Sequence, residues 1–129
     1  MMGKLYRPKM KWNWWLTNSA YFRFMVREFT SIFIAAYCGL LLCFLARLRG
    51  GPEPYERFVA GLNSPWSVLF HTIVLLAAIY HAVTWFNLTP KVMVIRIGEE
   101  KVPAAAIAGV HYAAWIGISI LLIFWVGRA

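Results

Sequence analysis

The chain has 129 residues, of which 61% are hydrophobic and only 14% charged, with a mean hydropathy of +0.62. Soluble domains carry ~25% charged residues, so this composition excludes a soluble enzyme. The net charge of +8 sits in basic residues that flank apolar stretches, which excludes nucleic acid as the expected partner.

The amino-terminal segment, Met-Met-Gly-Lys-Leu-Tyr-Arg-Pro-Lys-Met-Lys-Trp, is basic and aromatic. It lacks the short apolar core and small-residue cleavage site of a signal peptide, so the first span is expected to remain as a permanent helix. Two roles are open for this segment: a basic patch for anionic headgroups, or a docking site for a soluble partner. Asn18-Ser19 can cap a helix that begins near Ala20. Trp14, Trp15, Tyr21 and Phe22 would form an aromatic belt at headgroup depth.

A spanning helix needs ~20 mostly apolar residues. Spans are expected at about 20–48, 66–88 and 103–127; the last two contain no Asp, Glu, Lys or Arg, and Arg47 alone interrupts the apolar run Phe29–Leu48. Cys38 and Cys43, five residues apart in span one, point away from each other around a helix and cannot pair; buried apolar thiols are expected. After Arg49-Gly50-Gly51-Pro52, the spacing of Tyr55, Phe58, Val59 and Leu62 predicts a short amphipathic helix on the outer interface. Asn63-Ser64-Pro65 supplies a cap and a first-turn proline for span two, and Thr89-Pro90 is expected to end it. Residues 91–103 read as a loop. In span three, Gly109, Ala113, Gly117 and Ser119 mark a face that can pack closely against another helix.

The basic residues orient this plan. Lys4, Arg7, Lys9, Lys11, Arg23, Arg27, Lys91, Arg96 and Lys101 fall on one side and Arg47, Arg49, Arg57 and Arg128 on the other. By the positive-inside rule the amino terminus is cytoplasmic and the carboxyl terminus faces outward. The expectation is an all-α membrane protein of three transmembrane helices forming a single domain over 1–129. The segments outside the spans are too short for a soluble catalytic domain.

Arg27, Glu28, His71, His81 and His111 are ionisable groups at or near membrane depth, where such groups are costly. Glu28, just before the apolar run, is a candidate proton carrier; the alternative is that Arg27 and Glu28 only mark the headgroup level. His81 and Trp85, at i and i+4 with Thr84 beside them, share one helix face. With span one running outward and span two returning, Arg27, Glu28, Ser31, His81 and Trp85 come to similar depth. A carboxylate, hydrogen-bonding groups and an aromatic wall suit a quinone, whose flat headgroup accepts hydrogen bonds and exchanges protons with electrons. The alternative is that His81 bonds a neighbouring helix and Trp85 anchors at the interface. His81 and His111 at one depth could ligate a haem axially, or could serve as hydrogen-bond partners between helices. His71 has no histidine partner at its level, and the cysteines lack the companions of a metal site.

Three segments carry a resemblance: Tyr-Phe-Arg-Phe-Met-Val-Arg-Glu at 21–28, Gly50-Gly51-Pro52-Glu53, and His-Ala-Val-Thr-Trp-Phe-Asn-Leu-Thr-Pro-Lys at 81–91. In their order and spacing the chain resembles the C subunit of bacterial fumarate reductase over nearly its whole length. The resemblance implies a membrane anchor in the bacterial inner membrane, with its carboxyl end in the periplasm. It further implies a four-subunit complex with a flavoprotein carrying FAD, an iron–sulfur protein with its clusters, and a second hydrophobic anchor. Menaquinol would bind at Arg27, Glu28, Ser31, His81 and Trp85, with Glu28 as proton acceptor. No haem is expected from this type of anchor. The chain departs from the family pattern at Phe29, where a glycine is expected, and at Asn87, where an acid is expected. Other readings are a purely structural anchor, the anchor of a succinate:quinone oxidoreductase with haem b, and a small transporter. The transporter is weakened by the lack of internal repeats and broken spans.

Overall fold

The computed structural model describes residues 9–128; Lys4 and Arg7, counted above among the inward basic residues, lie outside them. A short 3₁₀ turn, Trp14–Leu16, leads into α1, Ser19–Arg49. The expected cap forms: the Asn18 side chain accepts a hydrogen bond from the Ala20 amide at 2.8 Å. At 1.5 Å per residue the 31 residues of α1 extend about 46 Å, well beyond a hydrocarbon core of about 30 Å. The surplus falls at the amino end, where the aromatic residues gather. Trp14 meets Tyr21 edge-on at 5.3 Å, and Trp15 stacks on Phe22 at 6.1 Å while its edge meets Phe29 at 6.5 Å. The residues expected to form an aromatic belt pack against one another at the start of α1.

Gly51, at φ +100°, makes the turn out of α1, in a region that side chains with a Cβ rarely adopt. Pro52, with its fixed φ and no amide hydrogen, then opens α2, Pro52–Leu62. The predicted amphipathic pattern holds: Tyr55, Phe58, Val59 and Leu62 are half-buried, whereas Glu53, Glu56 and Arg57 are exposed. Phe44 of α1 receives Tyr55 at 5.8 Å and Phe58 at 6.1 Å.

Helix α3, Pro65–Val92, opens as expected, with the Ser64 hydroxyl accepting from the Ser67 amide. It does not end at Thr89-Pro90. Pro90 lies inside the helix, which continues to Val92. A proline removes only its own amide bond, and the Met93 amide still finds the Thr89 carbonyl at 2.8 Å, so the last turn closes around the defect.

The segment expected to be a plain loop forms a small antiparallel hairpin. Strands β1, Arg96–Ile97, and β2, Glu100–Lys101, pair with Arg96 opposite Lys101 and Ile97 opposite Glu100. Gly98, at φ +64°, takes the first position of the two-residue turn, where glycine supports a tight hairpin. Helix α4, Ala104–Val126, follows Pro103 and ends at Gly127.

Helices α1, α3 and α4 are each long and apolar enough to cross a membrane. The chain divides into two compact units, with the boundary between Ala77 and Ala78 inside α3. In the first, Val74 and Ala77 are the buried apolar residues; in the second, Ile107 is. The chain covers only 6%, 11% and 6% of the most apolar window of the three long helices, leaving most of their surface uncovered by its own residues. Cys38 and Cys43 share this fate: both are free and exposed, not buried as expected, because the faces they occupy are not covered by this chain.

Candidate functional site

In the first unit the candidate residues lie in the third and fourth turns of α1. Arg27 is the most buried charged residue described, its side chain 7% exposed, beside a Glu28 side chain that is 47% exposed. Arg27 donates from Nε at 3.1 Å and from Nη2 at 2.7 Å, both to Oε1 of Glu28. The second carboxylate oxygen, Oε2, is therefore not engaged by this fork. The guanidinium also lies over the Phe24 ring, 4.7 Å from its centroid. Such stacking favours arginine, whose flat, weakly hydrated cation tolerates burial better than an ammonium.

The next turn is tied to the same pair. Thr30, also buried, donates its hydroxyl to the Arg27 carbonyl, and Ser31 donates to the Glu28 carbonyl. With its proton committed to the backbone, Ser31 presents an acceptor lone pair, and it would have to rotate before donating to a carbonyl ligand. Thr30 is a site-neighbouring residue that sequence reasoning missed. Its spacing three residues from Arg27 was the available signal.

In the second unit, His81 and Trp85 come together as the i, i+4 spacing predicts, with ring centroids 6.4 Å apart and planes at 54°. The Thr84 hydroxyl between them donates to the carbonyls of Tyr80, at 2.8 Å, and His81, at 3.0 Å. Thr84 thus spends its proton on the helix, as hydroxyls in apolar helices commonly do. Trp85 keeps much of its ring exposed as a face on which a flat group could lie.

His111 occupies a different environment. Its Nδ1 lies 2.7 Å from the Ile107 carbonyl, one turn back on α4, and its ring packs 5.6 Å from Phe86. Phe86 also meets Tyr112 and Trp115 edge-on at 5.1 and 5.8 Å. The Asn87 side chain bridges the Val83 carbonyl, at 2.8 Å, and the Tyr112 hydroxyl, at 3.0 Å. Asn87, noted in the sequence only as a departure from an acid, thus links α3 to α4. A neutral amide can donate to both oxygens, which a carboxylate could not. In the first unit His71 holds the Ser67 carbonyl at 2.7 Å and meets Tyr37 of α1 edge-on at 5.6 Å. Among the described residues no group of three or more His, Cys, Asp or Glu side chains could hold a metal ion.

Three long apolar helices whose polar side chains are turned back on their own backbones define a multi-pass membrane protein. Residues 2–127 match the family described as the fumarate reductase C subunit. The chain is 36% identical over 121 residues to a fumarate reductase C subunit of Mycobacterium tuberculosis (strain H37Ra), covering 94% of this chain and 96% of that one. It is also 35% identical over 120 residues to that of Yersinia enterocolitica and 32% over 121 residues to that of Haemophilus influenzae, with 92% of each chain covered in both cases. The chain belongs to the family of fumarate reductase C subunits, the membrane anchor of a multi-subunit complex.

Proposed function

We propose that the chain attaches a flavoprotein and an iron–sulfur protein to the bacterial inner membrane and, beside a second hydrophobic anchor, contributes one wall of a menaquinol oxidation site. The flavoprotein would carry FAD and reduce fumarate, and the iron–sulfur clusters would relay electrons from the membrane. In this reading the amino terminus is cytoplasmic and the carboxyl terminus periplasmic.

The observation that carries the reading is the Arg27–Glu28 pair. A buried guanidinium aims both donors at one carboxylate oxygen and leaves the other oxygen on a half-exposed side chain. A carboxylate needed only as counter-charge would gain most from bidentate pairing. One held by a single oxygen keeps a site at which a quinol hydroxyl can bond and leave its proton.

Each residue of this chain then has a defined task. Arg27 fixes the Glu28 rotamer. Glu28 Oε2 accepts the hydroxyl proton, and exposure of its side chain gives that proton a way out. The Ser31 oxygen accepts a second hydrogen bond. His81 supplies a ring nitrogen as donor or acceptor, and Trp85 an aromatic face for the flat headgroup. The quinol, when bound, would supply two electrons to the iron–sulfur relay and two protons, passed one after the other through Glu28. No haem is placed in this chain, and His81 and His111 are assigned to hydrogen bonding and packing. Replacing Glu28 by Gln in the assembled complex tests the reading: quinol oxidation falls while the subunits stay together. Undiminished turnover in an intact complex would leave a purely structural anchor.

A further inference from the structure

We propose that Phe24 is a positioning residue for the Arg27–Glu28 pair, its ring holding the guanidinium where both described donors meet one oxygen of Glu28. What this does to turnover rests on the reading of Glu28 as proton acceptor, whereas the geometry stands without it.

Consecutive residues of an α-helix point about 100° apart and do not face one another, so an ion pair between Arg27 and Glu28 does not follow from helix geometry alone. Phe24 stands three residues before Arg27 and four before Glu28. That sets it between the two on the preceding turn, about 60° from Arg27 and about 40° from Glu28. Long side chains of a helix lean back over that turn. Arg27 therefore reaches Glu28 across Phe24, and its guanidinium carbon lies over the ring, 4.7 Å from the centroid. From there Nε and Nη2 both meet Oε1, at 3.1 and 2.7 Å.

The ring suits this place because it attracts the cation through its π face without taking a conventional hydrogen bond. A hydrogen-bonding acceptor here would compete with Glu28 for the same N–H groups. An aliphatic side chain would leave the guanidinium free to slide into the bidentate pairing that arginine and carboxylate favour, which would occupy Oε2. The Arg27 side chain is 7% exposed and Phe24 46%, so the contact is dry on the side of the cation and wet on the side of the ring. Its strength then falls between the exposed and the fully desolvated case. Phe22, two residues earlier, is committed to Trp15 and serves as the comparison.

The test uses the assembled complex with Phe24→Leu, which keeps apolar bulk, Phe24→Tyr, which keeps the ring, and Phe22→Leu as control. Infrared difference spectra of each protein against the same protein carrying Glu28→Gln isolate the carboxylate bands of Glu28. Phe24→Leu should narrow the gap between the antisymmetric and symmetric stretches, because engaging both oxygens makes them alike; Phe24→Tyr and Phe22→Leu should leave it as in wild type. In quinol oxidation Phe24→Leu should lower kcat about fivefold, as a cation–π contact of this intermediate strength implies, with KM within about twofold and Phe24→Tyr near wild type. Added to Glu28→Gln, Phe24→Leu should lower the rate no further. An unchanged gap in Phe24→Leu, or the same narrowing in Phe24→Tyr or Phe22→Leu, would overturn the proposal. So would a further fivefold loss on top of Glu28→Gln, which would put the effect of the ring elsewhere. A gap that narrows as expected while Glu28→Gln oxidises quinol at the wild-type rate would uphold the positioning and remove the proton-acceptor reading.

Discussion

Exchanging Glu28 for glutamine separates the two tasks a carboxylate at this position can have. The side chain keeps its size and can still accept through its amide oxygen, so Arg27 retains hydrogen bonds but loses its counter-charge. Removing one partner of a fully buried ion pair costs about 3–5 kcal/mol. Here the acid is 47% exposed and water screens the interaction, so the stability loss should be nearer about 1–2 kcal/mol. A loss that size shifts the unfolding midpoint of the complex in detergent without dissociating it. Turnover behaves differently. Loss of a positioned proton acceptor should lower quinol oxidation by about 10²-fold or more, with fumarate reduction from an artificial soluble electron donor unchanged, because that assay bypasses the quinol. Glu28→Asp, which keeps the charge one methylene short, should recover part of the rate. Quinol oxidation within twofold of wild type for Glu28→Gln, in a complex of unchanged composition, would refute the proton-acceptor reasoning outright. A parallel fall in both assays would instead mean that the pair acts through structure.

Other expectations follow from neighbouring geometry. Trp85→Phe should retain most quinol oxidation and Trp85→Ala should raise KM for quinol severalfold, as loss of an aromatic face worth about 1 kcal/mol requires; equal kinetics for the two variants would deny the ring a stacking role. Asn87→Leu removes the side-chain bond from α3 to Tyr112 and should cost about 0.6 kcal/mol, the average for a hydrogen bond between membrane helices, measured by denaturant titration in micelles. A reduced-minus-oxidised spectrum of the complex should lack a b-type band; a band abolished by His111→Ala would restore haem to this chain. In a background with Cys38 and Cys43 replaced by Ala, an impermeant thiol reagent should label Glu56→Cys in intact cells and Glu99→Cys only after lysis, and the reverse would invert the orientation.

The parts of the architecture legible in the sequence are those governed by local chemistry. Asn18 accepts from the helix start as its type and position imply, Gly51-Pro52 makes the turn that only glycine and proline readily make, and the α2 stripe is half-buried where its spacing places it. What escaped depends on bonds that reading residue by residue undervalues. Pro90 should stop α3 because it removes a donor, yet one missing bond near a helix end is overridden when the following amides still find acceptors. The hairpin after α3 rests on two-residue strands, below the length at which alternation becomes visible, and only Gly98 marks it. Spacing foretold that His81 and Trp85 would pair. It could not foretell that both guanidinium bonds of Arg27 would converge on a single oxygen of Glu28, because side-chain torsions decide that.

How polar groups are placed along these helices also bears on what holds such an anchor together. Lipid tails are as apolar as leucine, so burying Leu or Ile against a neighbouring helix gains little, and association depends on packing and on polar links. The described links between helices of each unit are mostly aromatic: Phe44 with Tyr55 and Phe58 and Tyr37 with His71 in the first, and Phe86 with the ring group on α4, beside the Asn87–Tyr112 bond, in the second. Serine, threonine and histidine side chains instead return to carbonyls of their own helices at Ser31, Thr72, Thr84, Thr89 and His111, which satisfies them without committing them to a partner helix. Faces built this way stay apolar enough to insert and are left to be sorted by shape. Against that background the Arg27–Glu28 pair stands apart. It is an ion pair within a helix long and apolar enough to cross a membrane, where such groups are costly, and under the proposed function it is kept there because quinol oxidation moves protons.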